Sequence, residues 1–159
     1  MQRREFVGSF AALAAGSVLL PRAVRAVTAD GAPAAPLPPM TVYKSPSCGC
    51  CAEWVKHIEK AGFTVKVVAM DDLTQVKHDA GVPADLESCH TALVATYVIE
   101  GHVPADLVKK MLDEKSKITG LSVGGMVVGS PGMEQGAMKQ PYHVMAFTKG
   151  AKSTVYARR

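Results

Sequence analysis

The stretch Ser45-Pro-Ser-Cys-Gly-Cys-Cys51 holds three of the four cysteines in this 159-residue chain. A short apolar run with β-prone residues, Met40 to Tyr43, precedes it, and apolar residues at helical spacing from Ala52 to Ala61 follow it. The pattern predicts that the thiols lie where a strand gives way to the start of a helix. Free N–H groups and a partial positive charge at a helix start favour the thiolate, the form that binds metals and attacks disulfides.

The order of the elements around the cysteine turn predicts an α/β fold of the thioredoxin-like type. Strand, cysteine turn, helix, strand, helix and strand follow one another, which is typical of a single domain with a mixed sheet and flanking helices. In that topology the third strand is antiparallel to the first, so Cys89 and His90 would lie beside the cysteine turn. The predicted elements after the first helix are a strand at 63–69, a helix at 72–80, a strand at 92–99 and a helix at 104–115.

The composition shifts between Gly120 and Gln140, where glycine, serine and proline dominate. Met126, Met133 and Met138 are spaced through this stretch. It predicts a long methionine-rich loop rather than a helix or strand, and long loops in small domains are usually functional. Two further strands are predicted as a closing hairpin, at 142–147 and 154–157.

The first 26 residues predict an export signal. Arg3-Arg4 begins it, a mildly apolar run covers 6–20, and Val24-Arg25-Ala26 offers small residues at a cleavage site. The arginine pair resembles a twin-arginine signal, with an ordinary secretory signal as the alternative. Because the apolar run is shorter than the ~20 residues of a membrane-spanning helix, we expect cleavage near Ala26, a periplasmic location and no membrane span in the mature chain.

The predicted mature chain consists of an Ala/Pro-rich linker at 27–39 and a metal-binding domain at 40–159. Four arginines and one glutamate in the predicted signal account for +3 of the formal net charge of +4, so a charge of +1 remains in the mature chain. No basic patch remains that could bind a phosphate backbone, which argues against a nucleic-acid partner.

The clustered cysteines allow three interpretations. Cys48 and Cys51 form a C-x-x-C pair, which suits a redox dithiol or a plain structural disulfide. With Cys50 they could instead form a soft-metal site. The third cysteine favours the metal site, because a redox pair needs no extra thiol that could form wrong bridges. Thiolates select Cu(I), zinc or iron–sulfur clusters.

Further candidate ligands lie elsewhere in the chain. Cys89 and His90 would point to opposite faces of an extended segment, so both reach the site only if the chain bends there. Met126 and Met133 offer thioethers, which suit Cu(I) and are of little use to zinc. His102 lies in a predicted turn.

Other residues are predicted to be structural: His57 and His78 on solvent-facing helix surfaces, and Trp54 and Met111 in the core.

Four motifs occur together in the mature chain: Tyr43-Lys-Ser-Pro-Ser-Cys-Gly-Cys-Cys51 followed by Trp54, Ser88-Cys-His-Thr91, Tyr97-Val-Ile-Glu-Gly-His-Val-Pro104 and Gly129-Ser-Pro-Gly-Met-Glu134. Through them, the stretch from Thr41 to Phe147 resembles the CopG-like periplasmic copper-resistance proteins, a group formerly catalogued as a domain of unknown function.

The resemblance implies a thioredoxin-like fold, export, and a thiolate-bridged cluster of several copper ions. It places the cluster cysteines at Cys48, Cys50, Cys51 and Cys89. The chain departs from the family pattern at Met126, which lacks the prolines that often flank that methionine.

The residues and the resemblance together predict a periplasmic copper-binding protein that contributes to copper tolerance. It would bind several Cu(I) ions, with zinc disfavoured, and its partners would be copper ions and periplasmic copper efflux or chaperone proteins. No catalytic residue is predicted; the alternative is a thiol–disulfide or copper oxidoreductase that uses the Cys48/Cys51 pair. The predicted metal ligands are Cys48, Cys50, Cys51, Cys89, His90, Met126, Met133 and His102.

Overall fold

The computed structural model describes residues 36–159, which form one seven-stranded mixed sheet with flanking helices. The predicted export signal and residues 27–35 of the predicted linker lie outside the described residues. The elements are β1 (Met40–Lys44), α1 (Gly49–Lys60), β2 (Val65–Ala69), α2 (Thr74–Ala80), a 3-10 turn (Ala84–Leu86), β3 (His90–Val94), β4 (Tyr97–Gly101), α3 (Ala105–Glu114), β5 (Gly120–Val123), β6 (His143–Phe147) and β7 (Thr154–Arg158).

The strands lie in the order β2-β1-β3-β4-β5-β6-β7. The pairs β1/β2 and β4/β5 are parallel, with α1 and α3 in the respective connections, and the other neighbours are antiparallel. The predicted α/β fold with a mixed sheet is therefore confirmed, including the antiparallel β1/β3 pair. Among residues 36–159, no helix is both long enough and apolar enough to cross a membrane.

Helix α1 packs on the sheet through Trp54, Val55 and Ile58, all of which are buried. Their helical spacing puts them on one face. The Trp54 indole is fully buried, as predicted, and its Nε1–H donates to Val103 O at 2.9 Å. Truncating such a side chain typically costs about 3–5 kcal/mol of folding free energy. The helix begins at Gly49 rather than at the predicted Ala52, because the cysteine turn itself forms the first helical turn.

The prediction of a single strand at 92–99 is wrong, because two strands, β3 and β4, occupy this region as a tight hairpin. The turn residues are Ala95 and Thr96, and Ala95 has a positive φ of 51°. Alanine rarely adopts this conformation. The turn also lacks the glycine or asparagine that normally indicates a two-residue hairpin, so the sequence does not reveal it. Glu100 and Gly101 are the last residues of β4.

The prediction that 120–140 contains no element is also wrong, because β5 occupies its first four residues. All four are buried, but the strand is short, and its glycine and serine resemble those of the loop that follows it. A Cβ at Gly120 would overlap the carbonyl oxygen of Val98 on the neighbouring strand, which leaves room only for glycine. The hairpin predicted after the loop is confirmed as β6 and β7.

Candidate metal centre

The candidate site lies where β1 ends, β3 begins and β4 ends. Lys44, the last residue of β1, pairs with His90, the first residue of β3. Because β4 is antiparallel to β3, its end returns to the same place, and Thr91 pairs with Glu100. This arrangement brings the cysteine turn after β1, Cys89 before β3 and His102 after β4 into contact distance, as the predicted topology requires.

We call Cys48, Cys50 and Cys51 the helix-start thiols. Cys48 and Cys51 form a disulfide, while Cys50 is a free thiol whose Sγ lies 3.5 Å from Cys48 Sγ. Cys89 is the second free thiol in the described part of the chain. The sulfur atoms of all four cysteines lie within 4.8 Å of one another. The structure therefore brings the four cysteines together as expected, and it does so with one pair oxidised.

We call Cys89, His90 and His102 the imidazole group, because one ligand atom from each lies within 4.8 Å of the others. Cys89 Sγ is 3.0 Å from His102 Nε2 and 3.5 Å from His90 Nδ1. The chain bends at Cys89 just before β3, so Cys89 and His90 both reach the site. Both histidines are fully buried, and the His90 ring packs on the Trp54 indole at a centroid distance of 4.3 Å.

The tautomer of His102 is fixed by a loop backbone contact. His102 Nδ1 lies 2.7 Å from Pro131 O, and a carbonyl can only accept, so Nδ1 carries the proton. Nε2 then offers a lone pair to Cys89 or to a metal, which is a common arrangement of metal-binding histidines. The loop reaches this position because Gly132 has no side chain: a Cβ there would lie 2.6 Å from Trp54 N and 2.7 Å from Cys50 O.

Burial keeps the imidazole group uncharged in the metal-free protein. It raises the pKa of the Cys89 thiol to about 11, with the neighbouring Cys50 adding to the effect. Burial also lowers the pKa of His90 to about 3, and His102 adds to that effect. Burial lowers the pKa of His102 as well. A metal that binds here meets neutral imidazoles and must displace the Cys89 proton.

The loop that carries the methionines contacts the site through the backbone of Gly125 and Pro131. Met126 follows β5 by three residues and is 65% exposed. Met133 is half-buried and follows Pro131, the residue that holds His102, by two positions. Their role as ligands stays a prediction. Met111 is buried in the core, as predicted.

Two structural features of the site region were missed or misread from the sequence. His57 was predicted to face solvent, but it is half-buried, and its Nε2 accepts the N–H of Ala105 at 3.1 Å, at the start of α3. Burial lowers the pKa of His57, which favours this neutral acceptor. A buried ion pair between Lys77 and Glu100 was not predicted, and no short-range pattern links residues 23 positions apart.

The donor set fits a soft metal ion. Thiolates and imidazoles together suit copper and zinc, whereas no carboxylate belongs to either group of close donors among the described residues. His90 Nε2 is buried and has no hydrogen-bond partner within residues 36–159. Buried polar atoms nearly always have a partner, so this unpaired nitrogen fits a ligand position; it is distinct from Nδ1, which lies 3.5 Å from Cys89 Sγ.

Comparisons with known proteins found one family model and two solved structures. A family model described as "Protein of unknown function, DUF411" matches residues 86–133, which include the imidazole group. Two solved structures of a copper resistance protein CopG, forms 1 and 2, are each 39% identical to this chain, cover 77% of it and 98% of their own chain, and have a TM-score of 0.73. No curated protein matches the chain.

The fold and the site define a thioredoxin-like domain that carries a cluster of thiols and imidazoles at the start of its first helix. The chain belongs to the CopG family of copper resistance proteins.

Proposed function

We propose that the protein binds several Cu(I) ions in the periplasm and so contributes to copper tolerance. The observation that carries the proposal is the convergence of four cysteine sulfurs within 4.8 Å. The relatives of known structure are named copper resistance proteins, which supports copper as the metal. The ligands would be Cys48, Cys50, Cys51 and Cys89, supported by His90, His102, Met126 and Met133.

More than one ion is expected because thiolates can bridge soft metals. Four thiols in contact distance exceed what one two-coordinate or three-coordinate Cu(I) ion needs, and sharing sulfurs between ions uses all of them. Zinc would use the same thiolates but would gain little from the neutral thioethers of the loop, so the full donor set favours Cu(I).

The redox state of the helix-start thiols sets the capacity for copper. In the described state Cys48 and Cys51 form a disulfide, which leaves Cys50, Cys89 and the two histidines as donors. Reduction of the disulfide consumes two electrons and two protons and yields two more thiols. We therefore expect reduced protein to bind more copper than oxidised protein.

The alternative function, a thiol–disulfide or copper oxidoreductase, draws support from the same disulfide at a helix start. Cys50, Cys89 and the two histidines favour metal binding, because a redox pair does not require them. Turnover of insulin or glutathione disulfide, measured with and without copper, separates the two functions. Thiol turnover at the rate of a dedicated oxidoreductase without copper would favour the alternative.

The periplasmic location rests on the predicted export signal at 1–26. Mass spectrometry of the periplasmic fraction should find a chain that begins near Val27. Recovery of the full-length chain in the cytoplasm would contradict this part of the proposal.

An anaerobic titration tests the proposed function. Reduced protein is titrated with Cu(I) and then challenged with zinc at equal free concentration; we expect more than one Cu(I) per chain, retained against zinc. Cys50→Ser should lower the copper count and leave the Cys48–Cys51 disulfide able to form. Ser47→Ala, at an exposed neighbouring position, is the matched control and should bind like the unmodified protein. Normal copper binding by Cys50→Ser, or displacement of copper by zinc, would overturn the proposal.

A further inference from the structure

Lys77 on α2 and Glu100 on β4 form an ion pair in the protein interior. Their side chains are 8% and 0% exposed, whereas the side chains of every other ion pair in residues 36–159 are at least 36% exposed. Lys77 is also the one buried residue of α2. The proposed copper chemistry does not use this pair, so its position needs a separate explanation.

The Glu100 carboxylate binds both flanks of the segment that carries Cys89 and His90. Its Oε1 accepts the backbone N–H of Ser88 at 2.6 Å as well as a proton of Lys77 Nζ, and its Oε2 accepts the hydroxyl of Thr91 at 2.7 Å. Lys77 Nζ in turn donates to Thr91 Oγ1 at 3.1 Å. One carboxylate therefore fixes the residue before Cys89 and the residue after His90.

Ser88 extends these contacts to the other parts of the site. Its hydroxyl donates to Gly125 O at 2.6 Å, in the loop just before Met126. A Cβ at Gly101, the residue before His102, would overlap the Ser88 hydroxyl, so the two chain segments touch. Glu100 itself lies two residues before His102. The carboxylate thus holds the start of β3 against the end of β4, and through Ser88 it also connects this segment to the loop.

Stability alone is a poor explanation for this pair. Removing two charges from water carries a large desolvation cost, and well-packed apolar replacements of buried ion pairs are often neutral or stabilising. A charged, two-oxygen acceptor does provide fixed directions for several donors at once, which an apolar pair cannot do. The arrangement therefore suits the placement of a chain segment better than it suits the stability of the fold.

We propose that Glu100 and Lys77 are positioning residues of the metal site. They hold the segment 88–91 so that the Cys89 sulfur and the His90 ring face the helix-start thiols and His102. The proposal rests on the proposed copper function for its purpose, but the placement of Cys89 exists in the metal-free protein and can be measured there.

The test compares Glu100→Gln with Glu114→Gln. The second change is the matched control, because Glu114 belongs to an exposed ion pair with Lys110. In reduced, metal-free protein, we expect alkylation of Cys89 to become several-fold faster in Glu100→Gln, with Cys50 unchanged. In copper competition the same variant should bind about 10–100-fold more weakly, as loss of outer-shell partners typically causes. Glu114→Gln should match the unmodified protein in both measurements.

A double variant separates positioning from stability. Lys77→Met together with Glu100→Gln removes both charges, so no unpaired buried ion is left to unfold the protein. We expect its melting temperature to recover toward that of the unmodified protein while its copper affinity stays low and Cys89 stays reactive. If the folded double variant has the same Cys89 alkylation rate and copper affinity as the unmodified protein, the positioning role is overturned. Failure of the unmodified protein to bind copper would instead overturn the proposed function, and the alkylation data would still decide the placement of Cys89.

Discussion

The helix-start thiols and the imidazole group meet in one site but are held in different ways. Cys48, Cys50 and Cys51 lie in one turn of chain, Cys50 is partly exposed, and a disulfide changes the donors that this group offers. His90 begins β3 and His102 follows β4, both are fully buried, and neither takes part in the disulfide. The comparison indicates a variable half and a fixed half of the site.

Cys89 joins the two halves, since its sulfur belongs to both groups of close donors. It lies within reach of Cys50 and Cys51 on one side and of His102 Nε2 on the other. A change at Cys89 should therefore affect the site more than a change at any helix-start thiol.

The largest expected effect is that of Cys89→Ser compared with Cys48→Ser under reducing conditions. Cys89→Ser removes a donor from both groups, so its loss of Cu(I) affinity should exceed the roughly 10–100-fold loss typical of outer-shell changes. Cys48→Ser removes a donor from one group and should cost less affinity. Competition titrations with a Cu(I) chelator measure both values, and equal losses for the two variants would break the distinction between the groups.

The buried histidine of the fixed half predicts an acid sensitivity of the metal-free fold. His90 has a pKa of about 3 when folded, against about 6.5 for an exposed histidine. Between these values the unfolded chain binds a proton that the folded chain does not, so the free energy of unfolding should fall as the pH falls. The contribution of one such group is about 1.4 kcal/mol per pH unit inside this window.

Denaturant unfolding of metal-free His90→Phe and unmodified protein, between pH 4 and pH 7, measures this contribution. The pH dependence of stability should be flatter in the variant. His78→Gln is the control, since His78 lies exposed on α2, and it should leave the slope unchanged. Equal slopes for all three proteins would mean that folding does not lower the pKa of His90.

The smallest expected effect is that of Met126→Leu, at an exposed position of the loop. A thioether adds soft-donor character without charge, so its loss should lower Cu(I) affinity less than any cysteine change and leave zinc affinity unaltered. Met138→Leu is the control, because Met138 is similarly exposed at 62% and is not a predicted ligand. If both leucine variants bind Cu(I) like the unmodified protein, Met126 is not a ligand.

The parts of the fold with strong local patterns were predictable from the sequence. The β-prone run before the cysteine turn and the apolar stripe of α1 gave the right elements, and their order gave the antiparallel placement of β3 beside β1. That placement was enough to bring Cys89 to the thiols, because strand direction decides which ends meet.

The parts that escaped prediction depend on contacts between distant residues. The hairpin at Ala95 is held by the pairing of β3 with β4 rather than by a turn-forming residue. Strand β5 has only four residues, and its glycine and serine do not stand out from the glycine- and serine-rich stretch that follows. The Lys77–Glu100 pair joins residues 23 positions apart. The contact of His57 with Ala105 joins residues 48 positions apart. Side-chain contacts of this kind follow from the packed fold and leave no local pattern.

X-ray absorption at the copper edge of reduced, Cu(I)-loaded protein tests the central claim most directly. The account predicts an edge typical of Cu(I), more sulfur than nitrogen neighbours around copper, and a copper–copper component that shows shared thiolates. Cys50→Ser should weaken the copper–copper component, and Ser47→Ala should retain it. A spectrum dominated by nitrogen or oxygen neighbours, or one without any copper–copper component at full loading, would contradict a thiolate-bridged site for several copper ions.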